Sequence, residues 1–374
     1  MTTGQPMAPG QPMAAGQQMA AGQQMAAEQG NDARAPRIPE LHCPFPHRVN
    51  PRAEQARRHL SQWVGTVGLI QRESARRRFE HADFGWFASM VYPTADEERI
   101  ALMADWFAWL FLVDDQLDDG DFGRDPRRAG QVFAEMRAVL ESPDHGAAAA
   151  RRPDLPTAVS SLADLWRRTA TGMTEAWRRR FVRHLEECLA AAAVWEAGNR
   201  TRGIVPEEDD YIENRRHTGA IYVCMDLIDV VERLDVPGEL YQSEEFRAAL
   251  DAACNVVCWT NDIYSLEKER SLGEVHNLVY VVQHHRELDQ ERALAHVCAA
   301  TSEETRRYLA LEERLLRRYP EHSALLTPYL AGMRTWIRGN LDWSSRTKRY
   351  QSPDGGSAPR PALYLEPDLV VADR

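Results

Sequence analysis

The apolar residues of this chain recur three and four positions apart, almost without interruption, from residue 52 to residue 350. That spacing places them on one face of an α-helix, whereas the alternation typical of a half-buried strand is scarce. No linker-like stretch divides the region, so the sequence predicts an all-α fold with a single helical domain, 37–350. Prolines separate the pattern into predicted helices over 52–72, 76–89, 95–118, 126–142, 157–199, 207–234, 239–269, 274–285, 288–318 and 322–348.

Both ends of the chain differ in composition from this region. Residues 4–27 repeat a hexapeptide that carries no charge and no aromatic side chain. Such a segment cannot bury enough apolar surface to fold, so residues 1–36 are predicted to be a disordered tail. Residues 37–51 are rich in proline but contain apolar anchors, which predicts an extended arm packed on the domain. The last stretch, 351–374, is predicted to be a flexible C-terminal tail.

Charge and cysteine content exclude several classes of partner. With 45 basic and 56 acidic residues, the net charge is −11, which argues against nucleic acid or an anionic membrane as a ligand. The most apolar run, 100–113, is too short to span a membrane. The six cysteines form no CxxC pair and follow no secretory signal, which predicts reduced thiols in a cytoplasmic protein. An anionic ligand would therefore need a metal ion or a focused group of Arg and Lys.

An aromatic segment runs directly into a group of carboxylates in WFAWLFLVDDQLDDGD, residues 106–121. Asp114 and Asp118 are four positions apart and share a helical face, on which Phe107 and Phe111 also lie. Like charges at this spacing repel each other, and their burial is costly unless a cation lies between them. The pattern indicates an apolar cavity wall that ends in a cation-binding group, although a solvated helix end is the plainer alternative.

A second set of oxygen donors appears in CWTNDIYSLEKERS, residues 258–271. Asn261, Ser265 and Glu269 recur every four positions and therefore lie on one stripe of one helix. An amide, a hydroxyl and a carboxylate are hard oxygen donors, and without His or Cys they favour Mg²⁺ or Mn²⁺ over zinc. The first and last of them are about 12 Å apart along a helix axis. Spacing alone therefore leaves a solvated helix face open as an alternative.

Taken together, these segments resemble the signature motifs of class I terpene synthases. NDIYSLEKE (261–269) is similar to the family's (N/D)DxxSxxKE motif, DDQLDD (114–119) to its aspartate-rich motif, and TKRY (347–350) to its C-terminal Arg-Tyr pair. YIENRRHTGA (211–220) resembles the segment that carries the diphosphate-sensing arginine. HADFGWFASMVYPTA (81–95) and GEVHNLV (273–279) also look like bacterial members. The motifs stand in the family's order within 38–350, and they imply the class I terpenoid synthase-like α-helical bundle around a central cavity.

The resemblance also implies a metal and diphosphate site, with three Mg²⁺ ions expected. Asp114 would be the main ligand of the first motif, Asp115 would be a salt-bridge partner when the site closes, Asp118 and Asp119 would be weaker ligands, and Asp121 would be a solvated turn residue. The implied metal ligands are Asp114, Asp115, Asp118, Asp119, Asn261, Ser265 and Glu269. The implied diphosphate-binding residues are Arg215, Lys268, Arg349 and Tyr350.

The implied reaction is the magnesium-dependent ionisation and cyclisation of an isoprenyl diphosphate by a carbon–oxygen lyase. The carbonyl of Gly219, next to Thr218 at a predicted helix break, would point a dipole at the carbocation. No general base stands out. Aromatic rings would form the cavity wall, and the candidates are Phe84, Phe87, Phe107, Phe111 and Trp343, with Phe111 and Trp343 preferred for their offsets from Asp114 and Arg349.

Several alternatives concern the substrate and the activity. Farnesyl diphosphate, which would give a cyclic sesquiterpene, is the expected substrate for a bacterial member. Geranylgeranyl diphosphate, which would give a diterpene, is the runner-up. A catalytically silent homologue that binds metal and diphosphate is a further alternative. A chain-elongating prenyltransferase is disfavoured because it would carry a second aspartate-rich motif in place of the Asn, Ser and Glu set. Family analogy alone suggests a homodimer.

Overall fold

The computed structural model describes residues 38–118, 126–141 and 155–350, together with Glu366 and Leu369. Within these residues every regular element is helical, which confirms the all-α prediction. A π-helical turn, Ala191–Glu196, and a 3₁₀ turn, Pro320–His322, accompany the α-helices. The α-helices are α1 (Ala53–Thr66), α2 (Glu73–Ala82), α3 (Phe84–Val91), α4 (Glu97–Asp118), α5 (Pro126–Glu141), α6 (Thr157–Ala170), α7 (Glu175–Ala190), α8 (Ala197–Arg202), α9 (Glu208–Thr218), α10 (Ile221–Glu232), α11 (Gly238–Tyr241), α12 (Glu244–Leu272), α13 (Leu278–His285), α14 (Gln290–Arg318) and α15 (Ser323–Ser344).

Four predicted helices are divided in the structure. The segment 207–234 becomes α9 and α10, and 239–269 becomes α11 and α12. The segment 76–89 forms two helices because Asp83 adopts the left-handed conformation, with φ 54°, and its side chain caps the start of α3. The segment 157–199 is divided after α6, where Gly172 has φ 81° and the Thr174 side chain caps α7. All four predictions of one continuous helix were therefore wrong. Side-chain capping and left-handed residues end these helices, and the apolar spacing runs on past both features.

Helix α4 is the central element of the fold. It is apolar around most of its circumference, which is the pattern of a helix buried on all sides. Trp106 and Trp109 on this helix are fully buried, and their indole N–H groups donate to Thr169 Oγ1 and to the carbonyl of Ala158, each at 2.8 Å. Helix α4 packs against α1, α3 and α6, while α12 packs against α14 and α15. This arrangement brings the two predicted metal-binding helices, α4 and α12, into the interior.

The N-terminal arm predicted for 37–51 packs on the helices at Phe45 and His47. Phe45 is buried with its ring edge-on to Tyr308, at 6.1 Å between centroids, and His47 Nδ1 lies 2.5 Å from Asp342 Oδ2. The predicted tail 1–36 lies outside the described residues. So does the predicted tail 351–374, except for Glu366 and Leu369. In the described ranges no helix combines the length and the apolar character needed to cross a membrane.

Candidate active site

A cavity of about 460 Å³ opens between α4, α7, α12 and α15. This volume is within the range of small-molecule sites in proteins. Three of the predicted aromatic wall residues, Phe87, Phe107 and Phe111, line it, and Trp336 of α15 does so as well. The rings are packed on one another, with centroids 4.9 Å apart for Phe87 and Phe107 and 5.5 Å apart for Phe107 and Trp336. The cavity therefore presents several π faces to its contents.

Two predicted wall residues lie behind this wall instead. Trp343 stacks on Phe87, with centroids 4.2 Å apart and ring planes 9° apart, and its indole nitrogen donates to the carbonyl of Ala82 at 2.8 Å. Phe84 stacks in the same way on Phe111, with a centroid distance of 4.5 Å. Neither ring lines the cavity, so the assignment of Trp343 to a cation contact is corrected. Trp336, which lies two turns earlier on the same helix, takes the wall position.

The carboxylates of α4 lie where the apolar wall ends. Arg349 donates from Nη2 to Asp115 Oδ1 at 2.8 Å and from Nη1 to Asp115 Oδ2 at 3.2 Å. Burial alone would raise the pKa of Asp115, but the charges of Arg349 and Lys268 and the hydrogen bonds from Arg349 together outweigh burial and lower it to about 2. Asp114 lines the cavity and has no ion-pair partner in the described part of the chain, and burial together with the Asp115 charge raises its pKa to about 6. Outside the described residues lie the Asp118 side chain, Asp119 and Asp121.

The second donor set lies on α12 and is hydrogen-bonded to two of the predicted diphosphate binders. Asn261 Oδ1 accepts from Arg215 Nη2 at 3.0 Å, and Asn261 Nδ2 donates to the Tyr350 hydroxyl at 2.6 Å. Ser265 is buried between the other two members, and its hydroxyl donates to the carbonyl of Asn261 at 2.8 Å. Burial, followed by the nearby charge of Asp262, raises the pKa of Glu269 to about 7. Asn261 and Glu269 both line the cavity.

Two buried side chains that the sequence did not single out hold this set in place. Asp262 accepts from Arg215 Nε at 2.9 Å and from the Tyr211 hydroxyl at 2.7 Å. Asn277 donates from Nδ2 to Glu269 Oε2 at 2.8 Å and to the carbonyl of Asp262 at 2.7 Å. Asp262 is adjacent to Asn261 in the motif, and Asn277 lies in the GEVHNLV segment that resembled the family. Both residues therefore lie in motifs that the sequence analysis quoted. The sequence alone did not show that they bond to Arg215 and Glu269, so it gave them no role.

The predicted helix break separates α9 from α10. Helix α9 ends at Thr218, and Ala220 adopts the left-handed conformation with φ 53°, which is unfavourable for a residue with a Cβ. Gly219, between them, lines the cavity. A Cβ at this position would lie 3.0 Å from the carbonyl oxygen of Arg215 and 3.1 Å from its Nη1, closer than such contacts ordinarily come. Glycine therefore leaves the space that the Arg215 side chain occupies.

Gly219→Ala is expected to lower kcat/KM for product formation roughly tenfold, because the added methyl group displaces Arg215 by a fraction of an ångström. Steady-state kinetics on the purified variant measure this. Gly130→Ala on α5 is the matched control, since a Cβ there meets no atom within 4 Å, and it should retain the wild-type rate. A Gly219→Ala protein that retains the wild-type kcat/KM would contradict the role assigned to this space.

Four cationic or hydroxyl side chains share the cavity with the two donor sets. All four predicted diphosphate-binding residues line it: Arg215, Lys268, Arg349 and Tyr350. Lys268 forms no ion pair with any residue that the structure describes, whereas both arginines are held in fixed positions by carboxylates. Arginine binds anions as a planar fork and lysine binds them as a point charge. Their convergence makes this end of the cavity suited to a polyanion.

The donor set fits a hard divalent cation shared with a phosphate-bearing ligand. Among the described residues no three His, Cys, Asp or Glu side chains converge as a complete metal cage. Instead Asp114 forms no ion pair with any residue in the described ranges, and Asn261, Ser265 and Glu269 supply an amide, a hydroxyl and a carboxylate. Mg²⁺ is commonly bound in this way, through one or two carboxylates together with substrate phosphates. The residues present therefore fit Mg²⁺ in combination with a diphosphate.

Comparison with known proteins shows independently which family the chain is similar to. Residues 105–307 match the family model described as terpene synthase family 2, C-terminal metal binding. The chain is 30% identical to germacrene A synthase of Nostoc punctiforme over 314 residues, covering 84% of this chain and 95% of that protein. It is 33% identical to 10-epi-cubebol synthase of Sorangium cellulosum, covering 84% and 98%. It is 31% identical to a (+)-T-muurolol synthase of Roseiflexus castenholzii, described as (2E,6E)-farnesyl diphosphate cyclizing, covering 82% and 92%.

The solved structures that resemble this one are also terpene synthases. The structure is similar to that of linalool/nerolidol synthase from Streptomyces clavuligerus, with a TM-score of 0.72 at 27% identity, covering 82% of this chain and all of that one. It is also similar to a single-residue variant of cucumene synthase, with a TM-score of 0.70 at 28% identity, covering 83% of this chain and 100% of that chain. The similarity therefore extends over the whole helical region.

Proposed function

Because the chain belongs to the terpene synthases of family 2, we propose that it ionises and cyclises farnesyl diphosphate to a cyclic sesquiterpene and releases diphosphate. The chain is a bacterial class I terpene synthase, and hence a carbon–oxygen lyase whose family binds a divalent metal. One relative is described by name as cyclising (2E,6E)-farnesyl diphosphate, which supports the fifteen-carbon substrate. The observation that carries the proposal is that oxygen donors of α4 (Asp114 and Asp115) and of α12 (Asn261 and Glu269) line an aromatic cavity together with the four side chains proposed to bind diphosphate.

Three Mg²⁺ ions, held by Asp114 and by the Asn261, Ser265 and Glu269 set, would neutralise the diphosphate and stabilise it as a leaving group when bound. Arg215 and Arg349 donate to diphosphate oxygens as forks, while Lys268 and Tyr350 add single donors. Because the chain has a net charge of −11, it can hold a polyanion only where metal ions and such donors are concentrated. As the allylic C–O bond breaks, these donors stabilise charge on the departing oxygen.

The apolar part of the cavity then holds the carbocation. The rings of Phe87, Phe107, Phe111 and Trp336 offer π faces, which attract a cation and contain no nucleophile. The carbonyl of Gly219 adds a dipole at the helix break. Close ring packing excludes water from this part of the cavity, which favours ring closure over premature capture of the cation. The shape of the wall decides which ring closes.

The experiment that tests this proposal is incubation of the purified protein with the ten-, fifteen- and twenty-carbon diphosphates, with and without Mg²⁺, followed by gas chromatography–mass spectrometry. A magnesium-dependent cyclic product from farnesyl diphosphate supports the proposal. Product from the twenty-carbon substrate alone would replace it with a diterpene cyclase. A folded protein that binds magnesium and diphosphate but gives no product from any chain length would be a silent homologue.

Asn277→Leu is expected to raise the Mg²⁺ concentration required for half-maximal activity by about 10- to 100-fold, because Glu269 loses the amide that orients its carboxylate. A magnesium titration of the initial rate measures this. Asn214→Leu is the control, since among the described residues the Asn214 amide bonds to no group but the carbonyl of Asp210 within its own helix, and it should titrate like the wild type. An unchanged magnesium requirement in the Asn277 variant would show that Glu269 needs no such support.

The cellular setting belongs to the same proposal. All six cysteines lie in the described residues and are free thiols, which supports a reducing compartment and hence a cytoplasmic location. The isoprenyl diphosphate would be the only partner that the reaction requires. A homodimer stays a prediction, and size-exclusion chromatography with light scattering would decide it.

A further inference from the structure

Glu366 and Leu369 are buried even though they lie in the segment predicted to be a flexible tail. Their exposed fractions are 7% and 2%. The Glu366 carboxylate oxygen Oε1 accepts from the backbone N–H groups of Gln71 and Arg72, at 2.7 and 2.6 Å. A buried carboxylate is costly unless it is hydrogen-bonded, and here two backbone donors bond to one of its oxygens.

These two residues supply the caps that two helices lack. Helix α2 begins after Arg72 and helix α6 after Pro156, and neither of these residues makes a side-chain cap. The Glu366 carboxylate lies at the N-terminus of α2, where an anion is stabilised by the helix dipole. The carbonyl of Leu369 accepts from the N–H of Ala158 in the first turn of α6, at 2.9 Å. Both helix starts therefore depend on a distant part of the chain.

A further bond reaches the aspartate-bearing end of α4. Gln116 is buried and donates from Nε2 to the backbone carbonyl of Glu366 at 2.8 Å. A small space of about 20 Å³ is lined by Gln116, by Glu366 and Leu369, and by Asp115 and Arg349. Asp115 and Arg349 also line the main cavity. The C-terminal residues therefore lie next to the Asp115–Arg349 pair, across a small space, and bond directly to its neighbour Gln116.

The end of α4 requires such support because of its own charge. Asp114, Asp115 and Asp118 stand in its last two turns, at the negative end of the helix dipole, and the last turn contains no basic residue. Acidic side chains at a helix C-terminus are destabilising, and the last four carbonyl groups of any helix lack partners within the helix. Without a contact from outside, this end would unwind more readily than an uncharged helix end.

We propose that Glu366 and Leu369 form a C-terminal clamp that positions the aspartate-bearing end of α4, and the Asp115–Arg349 pair beside it, for metal and diphosphate binding. Glu366 is a positioning residue in this proposal, since it acts through Gln116 and through the start of α2. The expected effect of the clamp on the magnesium requirement rests on the proposed function. Its effect on α4 itself does not depend on that function.

Hydrogen exchange of the full-length protein, followed by mass spectrometry of peptides covering 110–118, tests the clamp without reference to activity. Glu366→Ala should speed exchange at the end of α4 about fivefold, the effect of losing hydrogen bonds that hold it. Glu366→Gln keeps an oxygen that accepts from the two backbone donors, so it should restore the slow exchange. Gln116→Leu, which removes the bond from the α4 side, should exchange as fast as Glu366→Ala. Glu321→Ala, at an exposed position, is the matched control.

A magnesium titration of product formation gives the functional readout. Glu366→Ala should raise the half-activating Mg²⁺ concentration roughly tenfold, while kcat at saturating magnesium stays close to that of the wild type. Unchanged exchange at 110–118 in both Glu366→Ala and Gln116→Leu would overturn the clamp. So would a lowered melting temperature with an unchanged magnesium requirement, because the residues would then act only on stability. If the wild type makes no terpene, the proposed function fails, and the exchange result still decides the clamp.

Discussion

Asn261→Ala is expected to lower kcat/KM for the cyclic product by about 10³-fold, the scale of losing a preorganised electrostatic contact to the leaving group. The amide is a proposed metal ligand, and it also bonds to Arg215 and Tyr350. Its removal therefore withdraws one oxygen donor and releases two diphosphate-binding side chains together. Initial rates measured by gas chromatography–mass spectrometry at saturating Mg²⁺ give the comparison.

The matched variant is Asn261→Asp, which keeps an oxygen at the position of Oδ1 and is the other residue that the motif allows. It should retain far more activity than Asn261→Ala. Both variants should melt near the wild-type temperature, since Asn261 is only partly buried. Equal activity of Asn261→Ala and the wild type would refute the assignment of α12 to metal binding.

Arg349→Gln and Asp115→Asn are each expected to destabilise the protein by about 3 kcal/mol, because either change leaves a buried charge without its partner. The two side chains are 7% and 10% exposed, so water does little to compensate. The double variant contains no unpaired charge and should be more stable than the sum of the two losses allows. Thermal or urea denaturation of all four proteins measures the coupling free energy.

Steady-state kinetics should distinguish the role of Arg349 from that of Asp115. Arg349→Gln should lose most turnover because a diphosphate donor is gone, and Asp115→Asn should raise KM because Arg349 is no longer held in place. The exposed pair Arg179 and Glu175, 71% and 76% accessible, is the control cycle, and its coupling should be close to zero. Coupling equally small at Arg349 and Asp115 would mean that the pair does not hold the site together.

The amino-acid sequence predicted most of the helices, because the spacing of apolar residues reports directly on which face is buried. It failed where backbone conformation ends a helix without changing that spacing, as at Asp83 and Gly172. The motif resemblance predicted that Asn261, Glu269, Arg215 and Arg349 share one site, and the structure places all four in the same cavity. These four positions carry chemistry that few other residue types supply.

The remaining errors concern which of two equivalent positions faces the ligand, and which distant residues meet. Trp336 and Trp343 are two helical turns apart on α15, so periodicity cannot tell the inner ring from the outer one. Asn277 supports the site by bonding to Glu269, and Glu366 is proposed to support it by bonding to backbone N–H groups before α2. No local pattern marks Glu366, because its partners are backbone N–H groups, which every residue other than proline has.

The stack of Trp343 on Phe87 makes the cavity wall two rings thick, with the outer ring anchored to the carbonyl of Ala82. The carbocation meets only the inner ring, yet the tilt of that ring depends on a side chain that no ligand touches. The shape of the cavity wall is thus set partly by Trp343, which lies outside the ligand's reach. Two variants of this chain with the same wall residues are therefore expected to differ in product when residue 343 differs.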